Sequence, residues 1–253
     1  MSTAKPAPKV SIIIPTLHLK RPKNPKYFMV SRYSLSQLLE DLGRPIAVPL
    51  EVIVVCNGTD TGLVEFVRKH ARIDKYCLNS VNVGVARAWN VGAQMAEGEA
   101  LCFVNDDVAI GEGAIEALAE VLSRDGVGQV GPKGARWIAG EHDSYVGETH
   151  VEEADAISGF LFMIRDSVFR AVGGFDVTYS PAGFEEIDMS FAIRRTGLKC
   201  LVVPGLDVRH HHRHGVSAYR TDIEYLGKTI DTQALHERNR AYFRRKWGID
   251  DAR

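Results

Sequence analysis

The sequence carries little that would tie it to an oxidising compartment, a membrane or a polyanion. Its four cysteines, Cys56, Cys77, Cys102 and Cys200, form no C-x-x-C pair. Three of them lie inside apolar runs, where a free thiol packs as a small hydrophobe. This pattern argues against a disulfide framework and fits a reducing, cytosolic compartment. No apolar stretch approaches the ~20 residues of a membrane-spanning helix. The opening "MSTAKPAPKV" has no h-region, so residues 1–9 are expected to be a short disordered tail and not a signal peptide. Net charge is only -1, which argues against nucleic acid as a partner. No G-x-G-x-x-G follows the first apolar strand, so a dinucleotide fingerprint is absent. There is no G-x-x-x-x-G-K-[ST] phosphate loop and no G-x-S-x-G elbow, which counts against an α/β-hydrolase. Internal repeats and low-complexity segments are also missing.

What is present is an ordinary globular mix, with 45% hydrophobic and 25% charged residues over 253 positions. That is one large domain, or one domain with a small annex. "VSIII" (10–14) is a β-branched run stopped by Pro15 and reads as a buried strand. Leu35, Leu38, Leu39 and Leu42 recur at helical spacing, and Gly43 ends that helix. "EVIVVCNG" (51–58) predicts a second strand, and Leu63, Phe66, Val67 and His70 a second helix. "NVGVARAWNVGAQMAEGE" (82–99) predicts a helix of small residues, "ALCFVNDDV" (100–108) a strand running into acids, and Ile115, Leu118, Ala119 and Leu122 a further helix. Such alternation implies βαβ units and a parallel sheet. Further on, "VGQVGP" (127–132), "DAISGFLFMIR" (155–165) and "LKCLVVPG" (198–205) read as strands, and "FEEIDMSFAIRRTG" as a loop entering a helix. The two halves are expected to share one core.

In open α/β sheets ligands bind beyond the carboxyl ends of the strands. Pro15 and Thr16 follow the first strand, Asn57 the second, "NDD" (105–107) the third, and "HHHRHG" (210–215) the last. An acid pair after an apolar strand suits a hard divalent cation and equally a turn or helix cap. The histidines suit a metal and equally an exposed polar loop. On a strand, His210 and His212 would share a face. A cation held by Asp107 and one histidine joins the two observations. "FEEIDMS" (184–190) places Glu185, Glu186 and Asp188 together, to cap a helix, hold a cation or remove a proton. Two basic runs, Lys20 to Lys26 and Arg238 to Lys246, are either solvated faces or contacts to an anionic ligand or membrane surface.

Taken in order, "VSIIIPT", "EVIVVCNG", "NVGVARAWNVGAQMAEGE", "CFVNDDV", "SGFLFMIRDSVFRAVGGFD", "FEEIDMSFAIRRTG" and "VRHHHRHGVS" resemble family 2 glycosyltransferases, most of all their rhamnosyl- and galactofuranosyl-transferase-like branch. The resemblance runs from Val10 to Ser217, and "RNRAYFRRKWG" also fits. It implies the GT-A fold: a single Rossmann-like, mostly parallel sheet flanked by helices, with a C-terminal acceptor-side subregion. The expected organisation is a tail (1–9), a GT-A domain (10–217) and a C-terminal helical extension (218–253) packed on it.

The resemblance further implies roles. Pro15, Thr16 and Asn57 cradle the base and ribose of a nucleotide-sugar donor. Asn82, Gly84 and Arg87 pass beneath the nucleotide. "NDD" stands where the family has D-x-D or N-x-D, so Asp107 and a histidine of the 210–212 group hold Mn2+ or Mg2+. Asn105 and Asp106 complete the donor side, Asn105 towards the ribose or a metal-bound water. "FEEID" stands where the family usually has F-E-D-x-D, which makes Glu186 the base. Glu185, directly after Phe184, orients the acceptor or is the alternative base, and Asp188, nearest the helix start and stabilised by its N-terminal partial charge, is the structural acid. This chain departs from the family at Cys56, where an acid is usual, at Glu186, where Asp is usual, and at Ala192, where an arginine is often found. "LHLKRPKNPKYFMVSRY" (17–33) is longer than the usual connection.

The expectation is therefore a metal-dependent inverting glycosyltransferase. Its donor would be dTDP-rhamnose or a UDP-sugar, and its acceptor a glycan or lipid-linked glycan of polysaccharide or cell-envelope synthesis. Its place would be cytoplasmic or peripheral at an anionic membrane. Two other readings stand beside it: a sugar nucleotidyltransferase, and a non-catalytic sugar-nucleotide or metal-binding module.

Overall fold

The structure is a computed structural model that describes residues 9–19, 33–58, 60–211 and 221–249. The strands in chain order are β1 (Val10–Thr16), β2 (Leu50–Asn57), β3 (Lys75–Asn79), β4 (Ala100–Val104), β5 (Val108–Ile110), β6 (Val127–Gly131), β7 (Gly134–Ile138), β8 (Glu141–Val146), β9 (Glu152–Glu153), β10 (Ala156–Ile157), β11 (Leu161–Arg165), β12 (Lys199–Val202), β13 (Val208–His210), β14 (Asp222–Tyr225) and β15 (Lys228–Asp231). The α-helices are α1 (Leu35–Leu42), α2 (Thr61–Lys69), α3 (Val85–Met95), α4 (Ala114–Leu122), α5 (Asp166–Ala171), α6 (Glu185–Arg195) and α7 (Thr232–Lys246).

Eight strands form the central sheet in the order β3-β2-β1-β4-β11-β6-β12-β9. β1 pairs parallel with β2 and β4, β2 with β3, and β6 with β12. β11 runs antiparallel between β4 and β6. The sheet is therefore mostly parallel and buried on both faces, as continuous apolar strands require. Alternation along β1 divides its side chains between two cores. Ile12 and Ile14 join α1, α2 and α4 on one side. Ile13 joins Ala86 and Trp89 of α3, Phe169 of α5 and Met189 of α6 on the other.

Aromatic packing fixes that second core. The Phe103 ring lies 5.8 Å from Trp89, 5.2 Å from Phe162, 5.3 Å from Phe169 and 5.0 Å from Phe175. Burial of one such side chain stabilises by about 1.5–3 kcal/mol. Because α3 and α6 share this core, their N-terminal ends are held at fixed places over the sheet.

The helix signals in the sequence map onto real ends. Gly43 caps α1, and the Ser34 N–H at its start donates to Gln37 Oε1 at 3.0 Å. Asp60 caps α2 through Leu63 N at 3.0 Å. Differences arise where strands are short or polar. "DAISGFLFMIR" is not one strand: β10 and β11 are separated by Ser158-Gly159-Phe160, and β10 pairs with β7 in a separate three-stranded sheet with β8. The expected helical extension contains α7 but opens with the hairpin β14–β15. Its two-residue turn, Leu226-Gly227, has positive φ at both positions, 50° and 72°. This suits the right-handed twist of the paired strands, although Leu gives a much weaker turn signal than Asn there.

Candidate active site

The carboxyl ends of β1, β2 and β4 meet the N-terminus of α3. Thr16 Oγ1 donates to Asp106 Oδ2 at 2.7 Å, joining the ends of β1 and β4, and both groups are buried. Asn57, 3% exposed at the end of β2, donates through Nδ2 to Asn82 Oδ1 at 3.0 Å and to Gly84 O at 3.2 Å. Its Oδ1 accepts from Val83 N at 3.0 Å. Asn82 Oδ1 also accepts from Gly84 N at 2.9 Å. Gly84 has φ 84°, a conformation that L side chains rarely adopt. A Cβ there would lie 2.9 Å from Pro181 Cα, and Val85 N donates to Pro181 O at 2.8 Å. Thus Thr16 and Asp106 form one bonded pair and Asn57, Asn82 and Gly84 a second bonded cluster along this rim, and the loop leading into α6 rests on Gly84.

The β14–β15 hairpin packs against Asn82 and Arg87, which the sequence had not indicated. Asn82 Nδ2 donates to Glu224 O at 2.8 Å, and Leu226 N donates to Asn82 O at 2.9 Å. Arg87 Nη1 donates to the Tyr225 hydroxyl. Alternation in "DIEY" was the available signal.

β5 and β13 bring the acids and histidines together. They pair antiparallel with His210 opposite Val108, and His211 N donates to Asp107 O at 3.0 Å. His210 Nε2 lies 3.4 Å from Asp107 Oδ1. Asp107 is 2% exposed. The His210 ring stacks on Phe160 at 4.9 Å with an interplanar angle of 11°. His211 turns away to stack on Tyr33 at 4.4 Å, and burial followed by the Arg209 charge lowers its pKa. His212 lies outside the described residues, as does most of the basic stretch expected over 17–33. Asn105 N donates to Phe160 O at 2.9 Å, so the same loop touches both the "NDD" turn and His210.

Among the described residues no group of three or more His, Cys, Asp or Glu side chains is arranged to hold a metal. Asp107 and His210 offer one oxygen and one nitrogen. That does not make a closed four-ligand zinc site. It does suit Mg2+ or Mn2+ when the remaining ligands are waters and substrate phosphates.

The three acids of "FEEID" occupy the first turn of α6 and have different surroundings. Phe184 precedes them with φ 78°, an unusual conformation for a bulky residue. Its ring is held by Trp137 at 6.2 Å, His236 at 5.3 Å and Phe243 at 5.4 Å. Glu185 is 5% exposed, and its Oε2 has no hydrogen-bond partner among the described residues. Burial first, and the neighbouring Glu186 charge second, push its pKa well up. Burial also raises Glu186, against its own and the Ile187 backbone N–H. The Glu186 side chain lies over Gly159, where a Cβ would come within 2.9 Å of Glu186 Cγ. The Ser158–Phe160 loop therefore contacts Glu186 at Gly159 and His210 through Phe160.

Asp188 is engaged elsewhere. Its Oδ1 accepts from the Tyr179 hydroxyl at 3.0 Å and from Trp247 Nε1 at 2.9 Å, and its Oδ2 from Lys246 Nζ at 2.8 Å. It fastens α7 to α6. The C-terminal basic run is used in the same way. Arg238 donates to Ser180 O, Arg240 and Arg244 face Glu141, and Lys246 joins Asp176 and Asp188. The other basic run, residues 20–26, lies outside the described residues. No described helix is long and apolar enough to cross a membrane.

The family model for glycosyl transferase family 2 matches residues 33–179, more than half of the chain. The chain belongs to this family. The chain is 23% identical over 242 residues to the glucosyl-dolichyl phosphate glucuronosyltransferase of Haloferax volcanii, covering 86% of this chain and 72% of that protein. It is 24% identical over 223 residues to the N-acetylglucosaminyl-diphospho-decaprenol L-rhamnosyltransferase of Mycobacterium tuberculosis, covering 71% of this chain and 72% of the relative. A 26% identical match to an uncharacterized protein of Sinorhizobium fredii takes in 96% of this chain but spans only 28% of that protein. Among solved structures, GalNAc-T7 with UDP, GalNAc and Mn2+ superposes with a TM-score of 0.64 at 17% identity, over 81% of this chain and 44% of the other. The Pyrobaculum calidifontis mannosyltransferase with GDP-Man and Mn2+ gives 0.60 at 16%, over 84% and 60%. These likenesses show the GT-A fold.

Proposed function

We propose that this glycosyltransferase is inverting and uses a divalent cation to move a sugar from a nucleotide-sugar donor to a hydroxyl of a glycan or lipid-linked glycan. The observation that carries the reading is the Ser158–Phe160 loop, which touches Glu186 at Gly159 and the His210 of the Asp107–His210 pair through Phe160. The Thr16–Asp106 pair and the Asn57–Asn82–Gly84 cluster at the strand ends support it, with Pro15, Asn105 and Arg87 assigned to the same donor side. The solved relatives' UDP and GDP-Man complexes fit a nucleotide-sugar donor. The rhamnosyltransferase and glucuronosyltransferase relatives fit a lipid-linked acceptor. Within these, dTDP-rhamnose or a UDP-sugar is the donor we favour.

Glu186 takes the proton of the acceptor hydroxyl. The hydroxyl oxygen then forms its bond to the anomeric carbon on the face opposite the diphosphate, and the bond to the diphosphate breaks with its electron pair. The anomeric centre inverts without a covalent sugar–carboxylate intermediate, unlike the retaining glycosidases. Burial raises the pKa of Glu186, which makes its carboxylate a stronger base. Glu185, buried beside Glu186 with its Oε2 unpartnered among the described residues, orients the acceptor. Asp107 and His210 would hold the cation, which supplies charge neutralisation at the leaving diphosphate. Asp188 is assigned to structure and not to chemistry.

The test is thermal stabilisation by UDP-, dTDP- and GDP-sugars with Mn2+ or Mg2+. At a hundredfold excess over Kd, binding stabilises by about 2.7 kcal/mol. Asp107→Asn should remove the metal-dependent part. Equal stabilisation of parent and Asp107→Asn would overturn the cation assignment, and no response to any nucleotide sugar would overturn the donor.

A further inference from the structure

Beside α6, the small sheet β10-β7-β8 presents a row of rings that the donor rim does not use. β8 pairs with β7 so that Tyr145 faces Ala135 and His142 faces Trp137, with a register shift between Arg136 and Trp137. In a regular strand residues three apart point to opposite faces. The extra residue of the bulge puts Tyr145 and His142 on one face. Ring centroids step inward from Tyr145 to His142 at 4.7 Å, to Trp137 at 6.3 Å and to Phe184 at 6.2 Å. Phe184 directly precedes Glu185.

The other face of this sheet is closed, since a Cβ at Gly134 or Gly147 would run into Val202. The outer end of the ring row is open, with Tyr145 53% exposed. Lys133 Nζ lies 3.7 Å from the centroid of the Tyr145 ring. Lys133 O accepts from Ser158 N at 2.9 Å, so this platform is bonded to the loop on which Glu186 rests. A cleft of about 290 Å3 opens there between Lys133, Tyr145, Glu148 and Gly205.

We propose that this ring row and its cleft are the acceptor subsite and that the occupant is a saccharide. Its rings lie on Tyr145 and His142, and its reactive hydroxyl reaches Glu186. This deepens the glycosyltransferase reading above and rests on it. A sugar ring has an apolar C–H face and a polar rim, which matches an aromatic body with a wet edge. Lys133 supplies donors and Glu148 acceptors, and hydroxyls use both. The opposite charges leave the cleft without the net positive charge that would select a polyanion. Its volume is of small-molecule scale, near the low end of roughly 300–1,000 Å3.

The test is saturation-transfer NMR on the full chain without donor, irradiating aromatic protons. The probes are methyl glycosides of rhamnose, galactose, glucose, mannose and N-acetylglucosamine. At least one glycoside should receive saturation at its C–H face. The signal should fall roughly tenfold in Tyr145→Ala, weaken in His142→Ala, and persist in Tyr145→Phe and in Asp107→Asn. No transfer to any glycoside, or transfer unchanged in Tyr145→Ala, overturns the subsite. Thermal stabilisation of the parent by nucleotide sugars is read separately. Donor binding without glycoside binding overturns this subsite alone. Glycoside binding without any donor binding overturns the acceptor assignment together with the donor reading.

Discussion

Replacing Asp188 by alanine separates a structural acid from a catalytic one. Asp188 is 4% exposed and receives the Tyr179 hydroxyl, the Trp247 indole N–H and the Lys246 ammonium. A buried donor left unsatisfied costs about 1–3 kcal/mol. Lys246 retains Asp176 at 2.8 Å and its side chain is 31% exposed, so its share lies at the low end. Such losses in one network do not add fully. The expected destabilisation is therefore about 3–5 kcal/mol, the range for breaking a buried pair. That is a large part of the 5–15 kcal/mol of a typical domain. Urea unfolding should show a lowered midpoint, and α7 should loosen first. Asp188→Asn keeps an acceptor oxygen and should lose only about 1–2 kcal/mol. Where it is still folded, it should transfer sugar within a few-fold of the parent. Stability within about 0.5 kcal/mol of the parent, with transfer abolished in both variants, would refute the structural assignment.

The remaining predictions concern position and protonation. Gly159→Ala should displace the flexible Glu186 side chain, lowering transfer while nucleotide-sugar affinity is kept; an unchanged rate would mean that Glu186 acts from another place. Stability should fall in acid through Glu51 and Asp176. Burial works to raise both, but Ser11, the Glu97 N–H and Lys75 outweigh it for Glu51, and Lys246, Thr178 and Tyr242 for Asp176, leaving each at about 2. Depressed carboxylates stabilise above their unfolded pKa, near 4.5 and 3.8, and lose that contribution as pH falls towards 2. Glu51→Gln together with Asp176→Asn should flatten the urea midpoint over that window. Glu186 carries the opposite shift, raised by burial. The acid limb of kcat/KM should therefore lie above the ordinary Glu value of ~4.3 and disappear in Glu186→Gln; a limb in the ordinary range would contradict the burial of the base.

Continuous apolar runs made the first half of the sheet legible. "VSIII", "EVIVV" and "ALCFV" are strands buried on both faces, and Gly43 and Asp60 end and begin helices by local rules. The polar cluster proposed for the donor was legible because it sits where such strands stop. β3, β5, β9 and β13 are short or partly polar and exist through pairing with distant partners, so no local pattern marks them. The hairpin over Asn82 depends on Leu226 in a turn that favours Asn or Gly. The positive φ of Phe184 is held by distant Trp137 and Phe243, and Asp188 is satisfied by Tyr179, Lys246 and Trp247, two of which are about sixty residues away. Spacing within "FEEID" could not tell which carboxylate these groups would claim.

The most direct test of Glu186 as the base measures sugar transfer and nucleotide-sugar affinity together in Glu186→Gln, with Glu185→Gln beside it. Glu186→Gln keeps the side chain's size and removes its capacity to accept the proton. Donor affinity should remain near the parent value while transfer falls about 10²–10⁴-fold, the usual range for a lost general base. Transfer by Glu186→Gln at nearly the parent rate, with Glu185→Gln binding donor normally but inactive, would contradict this and move the base to Glu185.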